Sequence, residues 1–262
     1  MTSDRVTAAS ECLLGHWHLC TRLESLAPHL LPQHKQGAYQ VQALIEKQST
    51  QPLAAWKLAA TSIAGQKHIG VSGPLIGRYI AERVVPSGRA IPFGNNGMKV
   101  AEIEFAFRFG DDLPPRTRPY SADEIFEAVA SMHPAIEIPD SRFERFETVG
   151  EVSLIADNAC AHWLCIGAAA PDDWRKLDLA AFAPTGQIRG KKPIFGKGEN
   201  VLSSPYAAME WFVNEMSSLG IIAKAGQIVS TGTCLVPMPI SPGDHVAGDF
   251  GPLGRVEVTL GS

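Results

Sequence analysis

The sequence predicts a mixed α/β protein, and three observations predict it. Residues 6–48 carry apolar side chains at helical spacing. Residues 100–109 and 136–138 alternate apolar and charged side chains in the manner of half-buried strands. From Ala225 to the end, short apolar runs are separated by glycine turns. The expected organisation is an N-terminal helical appendage, residues 1–50, followed by a β-rich domain, residues 51–262. No internal repeat, low-complexity tract or long linker divides it further.

In the appendage, Cys12, Leu13, Leu14, Trp17 and Leu19 form an apolar stripe that continues through Leu23 and Leu26. Pro28 and Pro32 break it, and Tyr39, Val41, Ala43, Leu44 and Ile45 start a second helix. A strand follows over Leu53–Ser62. It sets Ala55, Lys57, Ala59 and Thr61 on one face and Trp56, Leu58 and Ala60 on the other. Lys57 is then a cation among small residues, open to an approaching ligand, unless its stem carries the ammonium out to the surface. Gly65–Gly77 reads as a glycine-rich loop or mobile lid, and residues 86–99 as a second loop.

The central stretch is Val100–Arg142. Ala101, Ile103, Phe105 and Phe107 alternate with Glu102, Glu104, Ala106 and Arg108. Glu102 and Glu104 therefore share a face, about 6–7 Å apart along the backbone. Glu137 sits between Ile136 and Ile138 on what reads as a second strand. Between them, Ser121-Ala-Asp-Glu124 fits a capping box that opens a helix carrying Ile125, Val129 and Met132, closed by His133-Pro134. Such a crossover can bring the two carboxylate strands side by side. Buried carboxylates are costly unless paired, so three together call for a cation, and oxygen-only ligands suit Mg²⁺ or Mn²⁺. The ordinary alternative is a solvated acidic face.

Further on, Val149–Ala156 and Ala161–Ala168 read as strands, with Asp157-Asn158 between them. Residues 184–200 are rich in glycine and basic side chains. Gly190–Lys197 lacks the spacing of a phosphate-binding loop and has no Ser/Thr after Gly-Lys, which argues against nucleotide binding. Ser204-Pro205 opens a helix that Gly220 ends. Three strands then follow, the last being Arg255–Leu260.

Composition narrows the partners. A net charge of −4 gives no general affinity for nucleic acid or anionic membranes. No apolar run reaches the ~20 residues of a membrane span, and the N-terminus lacks the basic start and apolar core of a signal peptide, so a cytoplasmic location is expected. Cys12, Cys20, Cys160, Cys165 and Cys234 include no Cys-x-x-Cys pair and read as reduced thiols. His16 and His18 are two apart, so they do not share a helix face, and they read as structural.

Taken in order, Trp56-Lys57-Leu58, Gly70–Gly77, Ala101-Glu-Ile-Glu-Phe105, Pro134-Ala-Ile-Glu-Ile-Pro-Asp-Ser-Arg142, Ala156-Asp-Asn158, Ala225–Thr233 and Pro242-Gly-Asp244 resemble the fumarylacetoacetate hydrolase superfamily. Within it, they are most similar to the 2-keto-4-pentenoate hydratase and 4-oxalocrotonate decarboxylase branch. The resemblance implies a rolled, largely antiparallel β core flanked by helices. It implies that Glu102, Glu104 and Glu137 hold Mg²⁺ or Mn²⁺, that Lys57 is catalytic beside the metal, and that Asn158 and Thr233 contact substrate. The implied activity is that of a lyase acting on 2-hydroxy-2,4-dienoates or 2-oxo acids through a cation-stabilised enolate, in aromatic-compound catabolism. Hydration comes first; decarboxylation, acylpyruvate C–C hydrolysis and a silent partner subunit are the alternatives. A decarboxylase needs another cation for a second carboxylate, and Arg142 or a lysine of the 190s loop is a candidate. Lys57, in an apolar pocket near a metal, is expected to have a lowered pKa. The resemblance, with the apolar tail strand Val256, Val258 and Leu260, implies a homodimer or larger, with possible association with a related pathway enzyme. The sequence departs from the family pattern at Ala55 and Ala59, where glycines are usual, at Ser203-Ser204-Pro205, and in the long basic loop, so the particular substrate stays open.

Overall fold

The computed structural model describes residues 1–262, the side chain of Gln48 excepted. Its elements follow in chain order. Helices α1 (Ser3–Leu19) and α2 (Lys35–Ala43) come first, then strand β1 (Leu53–Ala59), helix α3 (Ile63–Ile69) and strands β2 (Leu75–Ile80), β3 (Val84–Pro86), β4 (Ala90–Ile91) and β5 (Val100–Phe109). Next are helix α4 (Ala122–Glu127), strand β6 (Val129–Ile138), helix α5 (Glu151–Ala156) and strands β7 (Trp163–Ile166), β8 (Thr185–Ile188) and β9 (Ile194–Phe195). Helix α6 (Pro205–Ser218) precedes strands β10 (Ile228–Thr233), β11 (Met238–Pro239), β12 (His245–Asp249) and β13 (Arg255–Leu260).

Two sheets result. The larger runs β2-β1-β10-β5-β6-β7-β3, with β11 added on β5; the smaller runs β4-β13-β12-β8-β9. Most neighbours are antiparallel; β1/β10, β3/β7 and β4/β13 are parallel. This is the mixed fold with a curled, mainly antiparallel core and flanking helices that the sequence predicts. Among the described residues, no helix is long and apolar enough to cross a membrane.

The alternation read in β5 divides the larger sheet into two unlike faces. On one, Trp56, Leu58, Ile103, Phe105, Phe107, Ile136 and Val229 enter the main core. Phe105 meets Phe250 edge-to-face with ring centroids 5.0 Å apart. On the other face Ala55, Tyr79, Ala106, Ala135 and Ile228 form a second, smaller apolar cluster with Ala161, Leu164 and Ile166. These small side chains leave room beside the carboxylates.

Helix boundaries follow local chemistry. Ser121 and Glu124 form the predicted capping box of α4. Ser204 caps α6, with Pro205 in its first turn, and Gly220 (φ +72°) follows the C-cap Leu219. In the N-terminal segment, α1 buries Ala9, Leu13 and Leu14, and Trp17 lies against the guanidinium groups of Arg142 and Arg83, 4.2 and 5.1 Å from its ring centroid.

The structure corrects several expectations. The helix begun at Ser121 stops at Glu127. Val129 and Met132, although at helical spacing, belong to β6, and Pro134 lies inside that strand with its carbonyl accepting from Gly167 N–H. Residues 151–156 are helix α5 rather than strand, begun by the Leu154 N–H to Gly150 carbonyl bond and buried against α2. Gly65–Gly77 is not a loop throughout: Ser62 caps α3, and Leu75 already starts β2. Val256, Val258 and Leu260 are fully buried within the chain, so the tail strand offers no apolar face for a second copy.

Candidate metal centre

Antiparallel pairing of β5 with β6 sets Glu102 directly opposite Glu137 and Glu104 opposite Ala135. Opposite residues share a sheet face, and so do residues two apart. All three carboxylates therefore converge, with an oxygen of each within 4.8 Å of the others. On the neighbouring strands Ser230 pairs with Ala106, and Lys57 pairs with both Ser230 and Gly77. Lys57 thus joins the same face from β1. Glu104, Glu137 and Lys57 are buried and Glu102 is half-buried.

Each of the two buried carboxylates is held at one oxygen only. Glu104 Oε2 accepts from the Ser230 hydroxyl and from Gly232 N–H at 3.0 Å. Glu137 Oε1 accepts from the Tyr79 hydroxyl and lies 2.7 Å from Lys57 Nζ. Their remaining oxygens, Glu104 Oε1 and Glu137 Oε2, are buried and have no protein partner among the described residues. Unpartnered anionic oxygens are expensive to bury. Burial, then the charge of Glu137, pushes the Glu102 carboxyl up to about 8, with Lys57 acting the other way; burial and both neighbouring carboxylates hold Glu104 well above its ordinary range. Three carboxylates that repel one another, two of them with a buried and unpartnered oxygen, fit a hard divalent cation.

Lys57 is not a snorkelling lysine; it is buried and ion-paired. Nor is its pKa lowered as the sequence suggested. Burial does pull it down, but the charges of Glu137 and Glu102 outweigh burial, and the ammonium is held above the usual lysine range. Tyr79, raised by burial and then by Glu137, stays protonated and remains a donor.

The other predicted residues are held as follows. The side-chain amide of Asn158 is engaged by the backbone of Arg78, accepting from its N–H at 2.7 Å and donating to its carbonyl at 2.8 Å. Asn158 is instead the first of three consecutive residues, with Ala159 and Cys160, at φ +59°, +49° and +60°. This left-handed turn packs on Gly77, where an added Cβ would lie 2.5 Å from the Asn158 carbonyl oxygen, so it walls the site beside Lys57. Thr233 is opposite Glu104, and its hydroxyl donates to the Leu235 carbonyl. Arg142 is tied to Asp157 by an ion pair and a bond to its carbonyl, so it does not serve as a free cation for a second carboxylate. Tyr79 and Ser230 escape the sequence reading, since Tyr79 follows a segment read as loop and Ser230 is adjacent to Glu104 only through strand register.

The curled mixed sheet thus carries three carboxylates and a lysine on one inner face, an acidic triad that could hold a metal ion. No family profile matches the chain. The chain is 30% identical over 200 residues to 2-keto-4-pentenoate hydratase 1 of Dechloromonas aromatica (strain RCB), covering 76% of this chain and 74% of the relative. It is 31% identical over 182 residues to the 2-keto-4-pentenoate hydratase of Paraburkholderia phymatum, covering 70% and 68%. Among solved structures, 4-oxalocrotonate decarboxylase from Pseudomonas putida G7, complexed with magnesium and adipate, superposes with a TM-score of 0.88 at 22% identity, over 99% of this chain and 98% of that one. The chain belongs to the 2-keto-4-pentenoate hydratase family.

Proposed function

We propose that the protein is a divalent-metal-dependent carbon–oxygen lyase, a hydratase of 2-hydroxypenta-2,4-dienoate or a close homologue. The observation that carries this reading is the convergence of Glu102, Glu104, Glu137 and Lys57 on one sheet face, with two buried carboxylate oxygens left without a partner among the described residues. The three glutamates would hold the cation, Mg²⁺ first and Mn²⁺ second. When bound, the cation supplies Lewis acidity toward the carboxylate and 2-oxygen of a 2-oxo acid.

The chain's own groups account for proton movement and for shape. Hydration converts the dienol to the 2-oxo-3-enoate by moving a proton from the 2-hydroxyl to C5. Water then adds across C3 and C4, leaving a hydroxyl on C4 and a proton on C3. Lys57 carries its proton at neutral pH and lies on the small-residue face, so it is the group that delivers or relays it. Ala55, Ala106 and Ala135 keep the face open, while the turn at Asn158–Cys160 closes one side. Thr233, paired opposite Glu104, is assigned to substrate contact in this reading.

Hydration is favoured over decarboxylation of a diacid because Arg142, the buried cation suggested for a second carboxylate, is engaged, and of the three loop lysines only Lys192 lacks an acidic partner among the described residues. Arg142 pairs with Asp157, Lys191 with Asp244 and Lys197 with Glu199. The same reading includes a homodimer or larger assembly, association with a related pathway enzyme, and a cytoplasmic location. Its test is an assay with Mg²⁺ against a panel of 2-hydroxydienoates and 2-oxo diacids, following ultraviolet absorbance and CO₂. Loss of dienoate absorbance without CO₂ is the expected result. CO₂ release from a diacid, with the dienoates inert, would reverse the assignment.

A further inference from the structure

Resting on the metal reading above, we infer that Tyr79 and Ser230 are positioning residues that set which cation the three glutamates prefer. They hold Glu137 and Glu104 as single-oxygen ligands, which selects small six-coordinate cations such as Mg²⁺ and Mn²⁺ over Ca²⁺.

The geometry is the same at both carboxylates. Glu137 Oε1 carries the Tyr79 hydroxyl and the Lys57 ammonium; Glu104 Oε2 carries the Ser230 hydroxyl and Gly232 N–H. In each case two donors occupy one oxygen and the other is bare and buried. A carboxylate held this way offers one oxygen to a metal, and turning it to offer both breaks two polar contacts at a buried side chain. Glu102, half-buried, has no such donor pair among the described residues and keeps its freedom. Mg²⁺ demands near-octahedral coordination at about 2.0–2.1 Å, whereas Ca²⁺ takes six to eight oxygens at about 2.3–2.6 Å and commonly uses both oxygens of a carboxylate.

Both donors are fixed by the fold. Tyr79 pairs with Ala55, and its ring is fully buried in the alanine-lined cluster, where its hydroxyl finds its partner in Glu137. Ser230 is fully buried between Lys57 and Ala106. Gly232, at φ +100°, turns its N–H to Glu104 at a position where a Cβ would lie 2.0 Å from Thr61 Oγ1.

The test is metal binding without substrate. Chelator-stripped wild type, Tyr79→Phe and Ser230→Ala are titrated with Mn²⁺, followed by electron paramagnetic resonance, and with Ca²⁺, followed by calorimetry; circular dichroism reports folding. The wild type is expected to prefer Mn²⁺. Each variant should lose on the order of 10–100-fold in Mn²⁺ affinity and lose less for Ca²⁺, so that the Mn²⁺/Ca²⁺ ratio falls. If Tyr79→Phe does not fold, Ser230→Ala poses the same question at Glu104. A wild type that takes Ca²⁺ as tightly as Mn²⁺ overturns the inference without any variant. Folded variants that keep the wild-type ratio overturn this inference alone. A wild type that binds neither cation overturns the metal reading and this inference together.

Discussion

The two faces of the larger sheet are built from the same strands and do opposite things. On the core face β5 presents Ile103, Phe105 and Phe107; on the site face, one residue out of step, it presents Glu102, Glu104 and Ala106. The first face is close-packed, and its stability comes from apolar area removed from water. The second carries buried like charges, and its small alanines decline to fill the space. A period of two lets one strand hold both programmes, and the stabilising face supports the strained one.

The largest effect expected on the site face comes from Lys57. Lys57→Met keeps the stem and removes the charge. If Lys57 transfers the proton, kcat should fall on the order of 10²–10⁴-fold; if it only holds the substrate carboxylate, KM should rise with a smaller change in kcat. The substitution also leaves Glu137 without its ion-pair partner, so the metal-free variant should unfold more readily than the metal-loaded one. Wild-type kinetics in the folded variant would remove Lys57 from the chemistry.

The core face should respond in stability instead. Phe105→Ala removes a fully buried ring packed on Phe250 and Phe182 and should cost about 3–5 kcal/mol in chemical denaturation. Its folded fraction should retain the cation affinity of the wild type. A folded Phe105→Ala protein that had lost its cation while keeping its stability would erase the distinction between the faces.

A smaller effect concerns pH. The Glu102 carboxyl of the metal-free protein is raised to about 8, and Glu104 is likewise held well above the ordinary carboxyl range. The folded state then binds more protons than the unfolded state above the ordinary carboxyl range, so stability falls as pH rises from about 5 to about 8. Thermal melts in chelator should show this decline, and saturating Mg²⁺ should flatten it. Melting temperatures that rise over the same window in chelator would contradict the burial of the triad.

How much of this was legible in the sequence also divides by face. The carboxylate triad was readable because strand alternation is local, and Glu102, Glu104 and Glu137 sit in clean apolar frames. The capping box at Ser121 and the Ser204-Pro205 helix start were readable for the same reason. Val129 and Met132 misled because their spacing fits a helix, and only pairing with β5 draws them into a strand. Residues 151–156 misled because a short apolar run, buried from Ser153 to Ala156, has no period to separate helix from strand. Tyr79 and Ser230 were invisible because their partners are distant in sequence: Tyr79 reaches Glu137, and Ser230 reaches Glu104, 126 residues away. The direction of the Lys57 shift failed likewise, since burial alone predicts the opposite of what two facing carboxylates impose.

The central claim is that the triad is a cation site, and Mn²⁺ binding to chelator-stripped protein tests it most directly. Wild type and Glu104→Gln are titrated while electron paramagnetic resonance counts the free ion. The expected result is one tight Mn²⁺ per wild-type chain. In Glu104→Gln, with an unchanged circular dichroism spectrum, the loss of affinity should exceed the roughly 10–100-fold that second-layer contacts contribute. A wild type that binds no Mn²⁺, or a Glu104→Gln protein that binds it as the wild type does, would contradict the account.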